Sequence, residues 1–165
     1  MKKFMILVLT ALTLTQTACG GNVDAETSVD ADLQGLYDTL AEEFQWEEGY
    51  LVDIEGEMLE SYYPGLSEIA TRQFIAKMPM MSSVVNEIVF LQCETEEDAA
   101  KAAEILQNRI DYQVGDENNP GGAWYPESIE AWKQGQVIQQ GTYVAMIASA
   151  EYQAVIAEQF NALFA

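Results

Sequence analysis

Hydrophobic and polar residues follow two different spacings along the chain. Apolar residues at every third or fourth position, the spacing of one helix face, predict helices over 33–44, 58–62, 99–110 and 152–163. Apolar residues that alternate with polar ones, or form short runs rich in β-branched and aromatic residues, predict strands over 74–80, 87–93, 136–140 and 142–148. The elements are therefore expected in the order helix, helix, strand, strand, helix, strand, strand, helix.

Polar and glycine residues mark the ends of several of these elements. Asp30 or Asp32 can cap the first helix, and Thr95 with Asp98 three residues later resembles a capping box that begins the third. Gly141 separates the last two strands, where a tight hairpin turn needs a positive φ. Short-range signals thus support the assignment made from spacing.

Two hairpins separated by a helix predict an α+β domain. We expect a four-stranded, mainly antiparallel sheet with the helices packed on one face. The length of 165 residues suits one domain, which we place at residues 32–165. No internal repeat at a fixed period is visible.

The first 18 residues differ from the rest and resemble a lipoprotein signal peptide. Two lysines precede an apolar run from Phe4 to Leu14, which is about half the length of a membrane-spanning helix. Cys19 follows a small residue at the end of this leader, as in a lipobox, although Gln16 stands where leucine is usual. We expect cleavage before Cys19, acylation of its thiol with a diacylglycerol, and anchoring on the outer face of the cell membrane. Residues 19–31 then form a flexible tether.

The charge balance excludes several classes of function. The chain has 27 acidic and 7 basic residues, no histidine, and a net charge of -20. Such a charge opposes nucleic acid and anionic surfaces, and the absence of histidine removes the commonest general base and metal ligand. Cys93 is the only other cysteine, so no intramolecular disulfide is expected once Cys19 is acylated. It lies in an apolar run and is interpreted as a buried, unreactive thiol.

Several segments together resemble a known family. The sequence AKMPMM at 76–81 is similar to a recurring motif of small Gram-positive lipoproteins, and EIVF at 87–90, Asn108-Arg109, a hairpin around Tyr143 and a closing amphipathic helix follow in the same order. These proteins are grouped as domain of unknown function 4358. The resemblance implies an anchored, single-domain α+β lipoprotein and carries over no catalytic or binding residue.

The aromatic residues around one loop are the leading candidate for a binding surface. Trp124 and Tyr125 directly follow the loop 115–122, and Trp132 lies one short predicted helix further on. Aromatic side chains held on loops are common contact residues for proteins, peptides and sugars. The alternative is that they close the ends of the sheet.

Two groups of residues resemble metal sites, and neither is favoured. Asp116, Asn118, Gly121 and Glu127 fall at positions 1, 3, 6 and 12 of an EF-hand-like loop, but Pro120 occupies a ligand position. The thioethers of Met78, Met80 and Met81 could bind Cu(I), yet alternation along a strand favours Met78 and Met80 as core residues. We therefore expect no metal and no cofactor.

These features favour a non-catalytic function. We expect an extracytoplasmic lipoprotein that binds an envelope protein or a wall-derived glycan. The alternative is a small hydrolase of cell-wall glycan that uses paired carboxylates, although no nucleophile motif or isolated acidic pair marks it. A transporter's solute receptor is disfavoured, because the domain is too small for two closing lobes.

Overall fold

The computed structural model describes residues 30–165 as five helices and five strands. The helices are α1 (Leu33–Glu43), α2 (Gly56–Tyr62), α3 (Glu96–Val114), α4 (Pro126–Lys133) and α5 (Gln153–Ala162), and a 3-10 turn covers Leu66–Glu68. The strands are β1 (Leu51–Asp53), β2 (Thr71–Pro79), β3 (Asn86–Cys93), β4 (Gln136–Gln140) and β5 (Tyr143–Ser149). The predicted leader, Cys19 and most of the predicted tether lie outside the described residues.

The strands form one antiparallel sheet in the order β1-β2-β3-β5-β4. The two predicted hairpins, β2–β3 and β4–β5, meet where β3 pairs with β5, so that Phe90 lies opposite Ala145. The α+β class is thus confirmed. The prediction of four strands is wrong, since β1 adds a fifth strand at the edge beside β2.

The helices cover both faces of the sheet, so the prediction that they pack on one face is also wrong. Every residue of β3 and β5 is buried, whichever face its side chain is on. A strand buried on both faces carries a nearly continuous apolar run rather than a strict alternation. The runs EIVFLQC and YVAMIAS have this character.

Each face of the sheet has its own core. On the first, which we call the α3 face, side chains from alternate positions of β3 and β5 pack against α3 and α4, together with Ile54, Tyr63 and Leu66. On the second, the α1–α5 face, the intervening positions pack against Leu33, Leu36 and Leu40 of α1 and Ile156, Ala157 and Phe160 of α5. The molecule therefore has three layers, with the sheet in the middle.

Local capping and turn signals are confirmed. The Asp32 carboxylate accepts a hydrogen bond from the Gly35 N–H at the start of α1, and Thr95 Oγ1 accepts one from the Asp98 N–H at the start of α3. Gly141 has a φ of 58° in the β4–β5 turn. These contacts satisfy backbone donors that a helix terminus leaves free.

The folded region includes Ala31, which is buried on the α1–α5 face. Its N–H donates to the Tyr143 hydroxyl at 3.1 Å, and its carbonyl accepts from Gln73 Nε2 at 2.8 Å. Within residues 30–165, no helix combines the length and apolar character needed to cross a membrane.

Candidate functional site

An open cleft of about 640 Å³ lies at one end of the α3 face. Its walls come from α2, the C-terminal part of α3, the segment before α4, α4 itself, and the β2–β3 loop. Its aromatic lining residues are Tyr62, Tyr112, Trp124, Tyr125 and Trp132. Concave sites with aromatic walls and a few polar groups are the usual form of binding sites, so this cleft is the candidate functional site.

A buried ion pair lies at the base of the cleft. Arg109 Nε donates to Glu87 Oε1 and Arg109 Nη2 to Glu87 Oε2, each at 2.9 Å, and both side chains are nearly inaccessible to solvent. The Tyr63 hydroxyl also donates a hydrogen bond to Glu87 Oε1. Burial, followed by the charge of Glu87, raises the pKa of Tyr63 well above its ordinary value, so Tyr63 remains a donor.

The Arg109 guanidinium contacts two aromatic rings. It lies 4.1 Å from the centroid of the Tyr62 ring and 5.5 Å from that of Trp132. Burial lowers the pKa of Arg109, but the hydrogen bonds and charge of Glu87 outweigh it, so the pKa is raised and the cation persists.

The three aromatic residues selected from sequence all line this cleft. Trp124 and Tyr125 are at its mouth, with 87% and 54% of their surface exposed, whereas Trp132 is only 5% exposed and packs into the core of the α3 face. Trp132 therefore matches the alternative interpretation, in which these aromatic residues close the ends of the sheet. Trp124 does not, because a residue that closes a sheet end is covered. Their binding role stays a prediction.

Sequence reasoning missed the residues at the base and rim of the cleft. Glu87 begins an apolar strand run, and Arg109 occupies the buried face of α3 beside Leu106 and Ile110. A charged residue at a core position is rarely tolerated unless it is paired. The two charged residues at apolar positions could therefore have indicated a buried ion pair. Tyr112, which is 65% exposed at the cleft mouth, gave no signal of its own.

The methionine interpretation needs correction. The predicted core stripe is wrong for Met80, which lies just beyond the end of β2 and is 76% exposed. Met81 is exposed beside it and lines the cleft together with Met78. The strand ends at Pro79, which has no N–H to extend the ladder.

The 115–122 loop uses its first acidic residue to close its own turn. Asp116 Oδ1 accepts from the backbone N–H groups of Asn118 and Asn119 at 2.7 and 2.9 Å, and these bonds lower the pKa of Asp116. In the part of the chain that the structure describes, no three His, Cys, Asp or Glu residues are grouped so as to hold a metal ion.

Cys93 is buried near the N-terminus of α3, as expected. Burial, with a smaller contribution from Asp98, raises the pKa of its thiol to about 11. A thiol that stays protonated is a poor nucleophile, so Cys93 contributes packing rather than chemistry.

The architecture is that of a small α+β domain in which an antiparallel sheet lies between two helical layers and an aromatic cleft opens over a buried ion pair. The chain belongs to the family described as Domain of unknown function (DUF4358), whose family model matches residues 45–149. No curated protein and no solved structure matches the chain. The matched region contains every residue that lines the cleft, while α1 and α5 lie outside it.

Proposed function

We propose that the protein is a lipid-anchored, extracytoplasmic binding module that holds a partner in the aromatic cleft. The observation that carries this proposal is the exposure of large apolar side chains around the mouth of one cleft. Met81, Tyr112, Trp124 and Tyr125 are each more than half exposed there. Because water contact with such side chains is unfavourable, a cluster of them around a cavity favours an interaction site.

The proposed location, anchored on the outer face of the membrane, rests on the predicted leader. The lysines, the short apolar run and Cys19 favour processing as a lipoprotein, and two acyl chains hold a protein stably at a membrane. The net charge of the chain, -20 with the leader and more negative without Lys2 and Lys3, keeps the domain away from anionic lipid and anionic polymer. The cleft is then available to a partner in the envelope.

The hydrolase alternative finds no support in the cleft. Among the described residues that line it, Glu87 is the one carboxylate, and Arg109 and Tyr63 occupy its oxygens. Glycoside hydrolysis by paired carboxylates needs a second acid across the substrate. The geometry therefore favours binding without catalysis.

The proposal is tested by photo-crosslinking in intact cells. A crosslinking amino acid at Ser82, which lines the cleft and is exposed, is compared with one at Glu158, which is exposed on α5 across the sheet. We expect a recurring adduct from position 82 alone, which is lost when Trp124 and Tyr125 are both changed to alanine. Equal adducts from both positions, or an adduct that survives the double substitution, would contradict the proposal.

A further inference from the structure

The fold already contains two clusters in which a cation, a carboxylate and an aromatic ring meet. In the first, Arg109 pairs with Glu87 and lies over Tyr62 and Trp132. In the second, Lys77 Nζ lies 2.7 Å from Asp53 Oδ1 and 5.2 Å from the centroid of the Tyr37 ring. In both, the ring attracts the cation through its electron-rich face and the carboxylate neutralises the charge.

The outer half of the cleft has the same aromatic groups without a cation. Tyr112, Trp124 and Tyr125 have neither a ring nor a cation partner within residues 30–165. The carboxylate of Glu127, two residues after Tyr125 in the first turn of α4, makes no ion pair within residues 30–165 either. Glu127 lines a smaller pocket that shares Ser128 with the cleft.

The described region has no spare cation to occupy this position. Each of its basic residues is already paired with a carboxylate, and these residues are Arg72, Lys77, Lys101, Arg109 and Lys133. The remaining two lysines of the chain, Lys2 and Lys3, belong to the predicted leader. With 27 acidic residues against 7 basic ones, the complementary charge has to come from another molecule.

From this arrangement we propose that the cleft binds a lysine- or arginine-bearing segment of a partner protein, with its cation over Trp124, Tyr125 and Tyr112. This inference rests on the proposed function and specifies the chemistry of the partner. A peptide segment is favoured over a small amine because the cleft, at about 640 Å³, has several exposed apolar side chains around its mouth, of which a small amine would cover few.

Three matched peptides test the inference on the purified full-length protein. Each has nine residues alternating glycine with arginine, glutamine or glutamate, and the readout is the indole N–H signal of Trp124 in NMR titrations. We expect the arginine peptide alone to shift this signal, with an affinity that falls several-fold between low and physiological salt. Trp124→Ala should weaken binding of the arginine peptide by about 2- to 30-fold, the range of cation–aromatic contacts, followed in this variant through the indole N–H signal of Trp132, which also lines the cleft.

A matched substitution controls for general loss of apolar surface. Val155 is 39% exposed on α5, on the other side of the sheet, and Val155→Ala should leave peptide affinity unchanged. Equal shifts from the glutamine peptide, or no shift from any peptide, would overturn the inference. So would a crosslink from Ser82 to a partner segment without lysine or arginine, although the binding role itself would then stand. Absence of any adduct specific to position 82 removes the binding role instead.

Discussion

The two faces of the sheet are both buried, but they bury different chemistry. The α1–α5 face is closed by apolar contacts such as the stacked rings of Phe90 and Phe160, 5.8 Å apart. Its ion pair of Lys77 and Asp53 is partly exposed, and its fully buried polar side chains are neutral. Gln73, for example, bonds Gln92 and the backbone at the start of α1. The α3 face instead encloses the charged pair of Glu87 and Arg109, and it is the face that opens into a cleft.

This difference indicates that the contacts of the α1–α5 face serve stability alone. Neutral amides and apolar rings hold α1 and α5 at modest cost, whereas a buried ion pair loses much of its attraction to desolvation. Replacing a buried ion pair by apolar side chains of similar volume is often neutral or stabilising, so the pair itself adds little net stability. The retention of charge beneath the cleft is therefore better explained by positioning of its aromatic walls, Tyr62 and Trp132, than by stability.

The largest expected effect comes from breaking the ion pair on one side. Arg109→Met leaves the Glu87 carboxylate buried without its cation, which should lower the free energy of unfolding by about 3–5 kcal/mol. Denaturant unfolding followed by circular dichroism measures the change. The cleft walls should loosen as well, since Tyr62 and Trp132 lose the guanidinium between them.

The double variant Glu87→Leu with Arg109→Met is the matched control. It removes both charges together, so most of the lost stability should return. A double variant no more stable than Arg109→Met would contradict the view that the penalty comes from an unpaired charge. It would show instead that the shape of the pair holds the α3 face together.

A smaller effect on the same face depends on pH. The pKa of Cys93 is about 11 in the folded protein, above the ordinary thiol value of about 8.5. Above pH 9 the unfolded chain has released this proton while the folded one retains it, so stability falls as pH rises from about 9 to 11. The expected loss is about 2–3 kcal/mol, measured as the denaturant midpoint at each pH.

Cys93→Ser separates this contribution from other alkaline effects. Serine does not ionise in this range, so the variant should lose less stability between pH 9 and 11, whatever its stability at neutral pH. The pKa of Tyr63 is also raised, and its contribution should persist in the variant at the alkaline end. Parallel pH curves for the two proteins would refute the assignment to Cys93.

Local features of the fold could be predicted from sequence because they depend on neighbouring residues. Thr95 caps α3 through an N–H three residues away, and Gly141 adopts the positive φ of its own turn. Strand β1 could not be predicted, because three residues carry too little pattern and its pairing of Val52 with Met78 depends on the whole sheet. The helices on both faces were predictable in principle, from the unbroken apolar run of β3.

The candidate site was predicted only in part, for a related reason. Trp124 and Tyr125 stand beside a loop, where an aromatic side chain is conspicuous by itself. Glu87 and Arg109 are 22 residues apart, and their pairing at 2.9 Å exists only once β3 packs against α3. Each looked like an isolated exception on an apolar face. Both exceptions are visible in the sequence. The spacing of residues within one strand or one helix does not show that they pair with each other.

The smallest effect on stability is expected at Trp124. This residue also separates most clearly the two roles of the α3 face, which are binding at the cleft mouth and packing in the core. This side chain is 87% exposed, so Trp124→Ala should change the free energy of unfolding by less than about 0.5 kcal/mol. The same substitution should reduce the yield of the adduct formed from Ser82, because the lost surface is contact surface. Trp132→Ala, at 5% exposure, should instead cost about 3–5 kcal/mol. Comparable destabilisation by the two substitutions would mean that Trp124 is a structural residue and that the cleft mouth lies elsewhere.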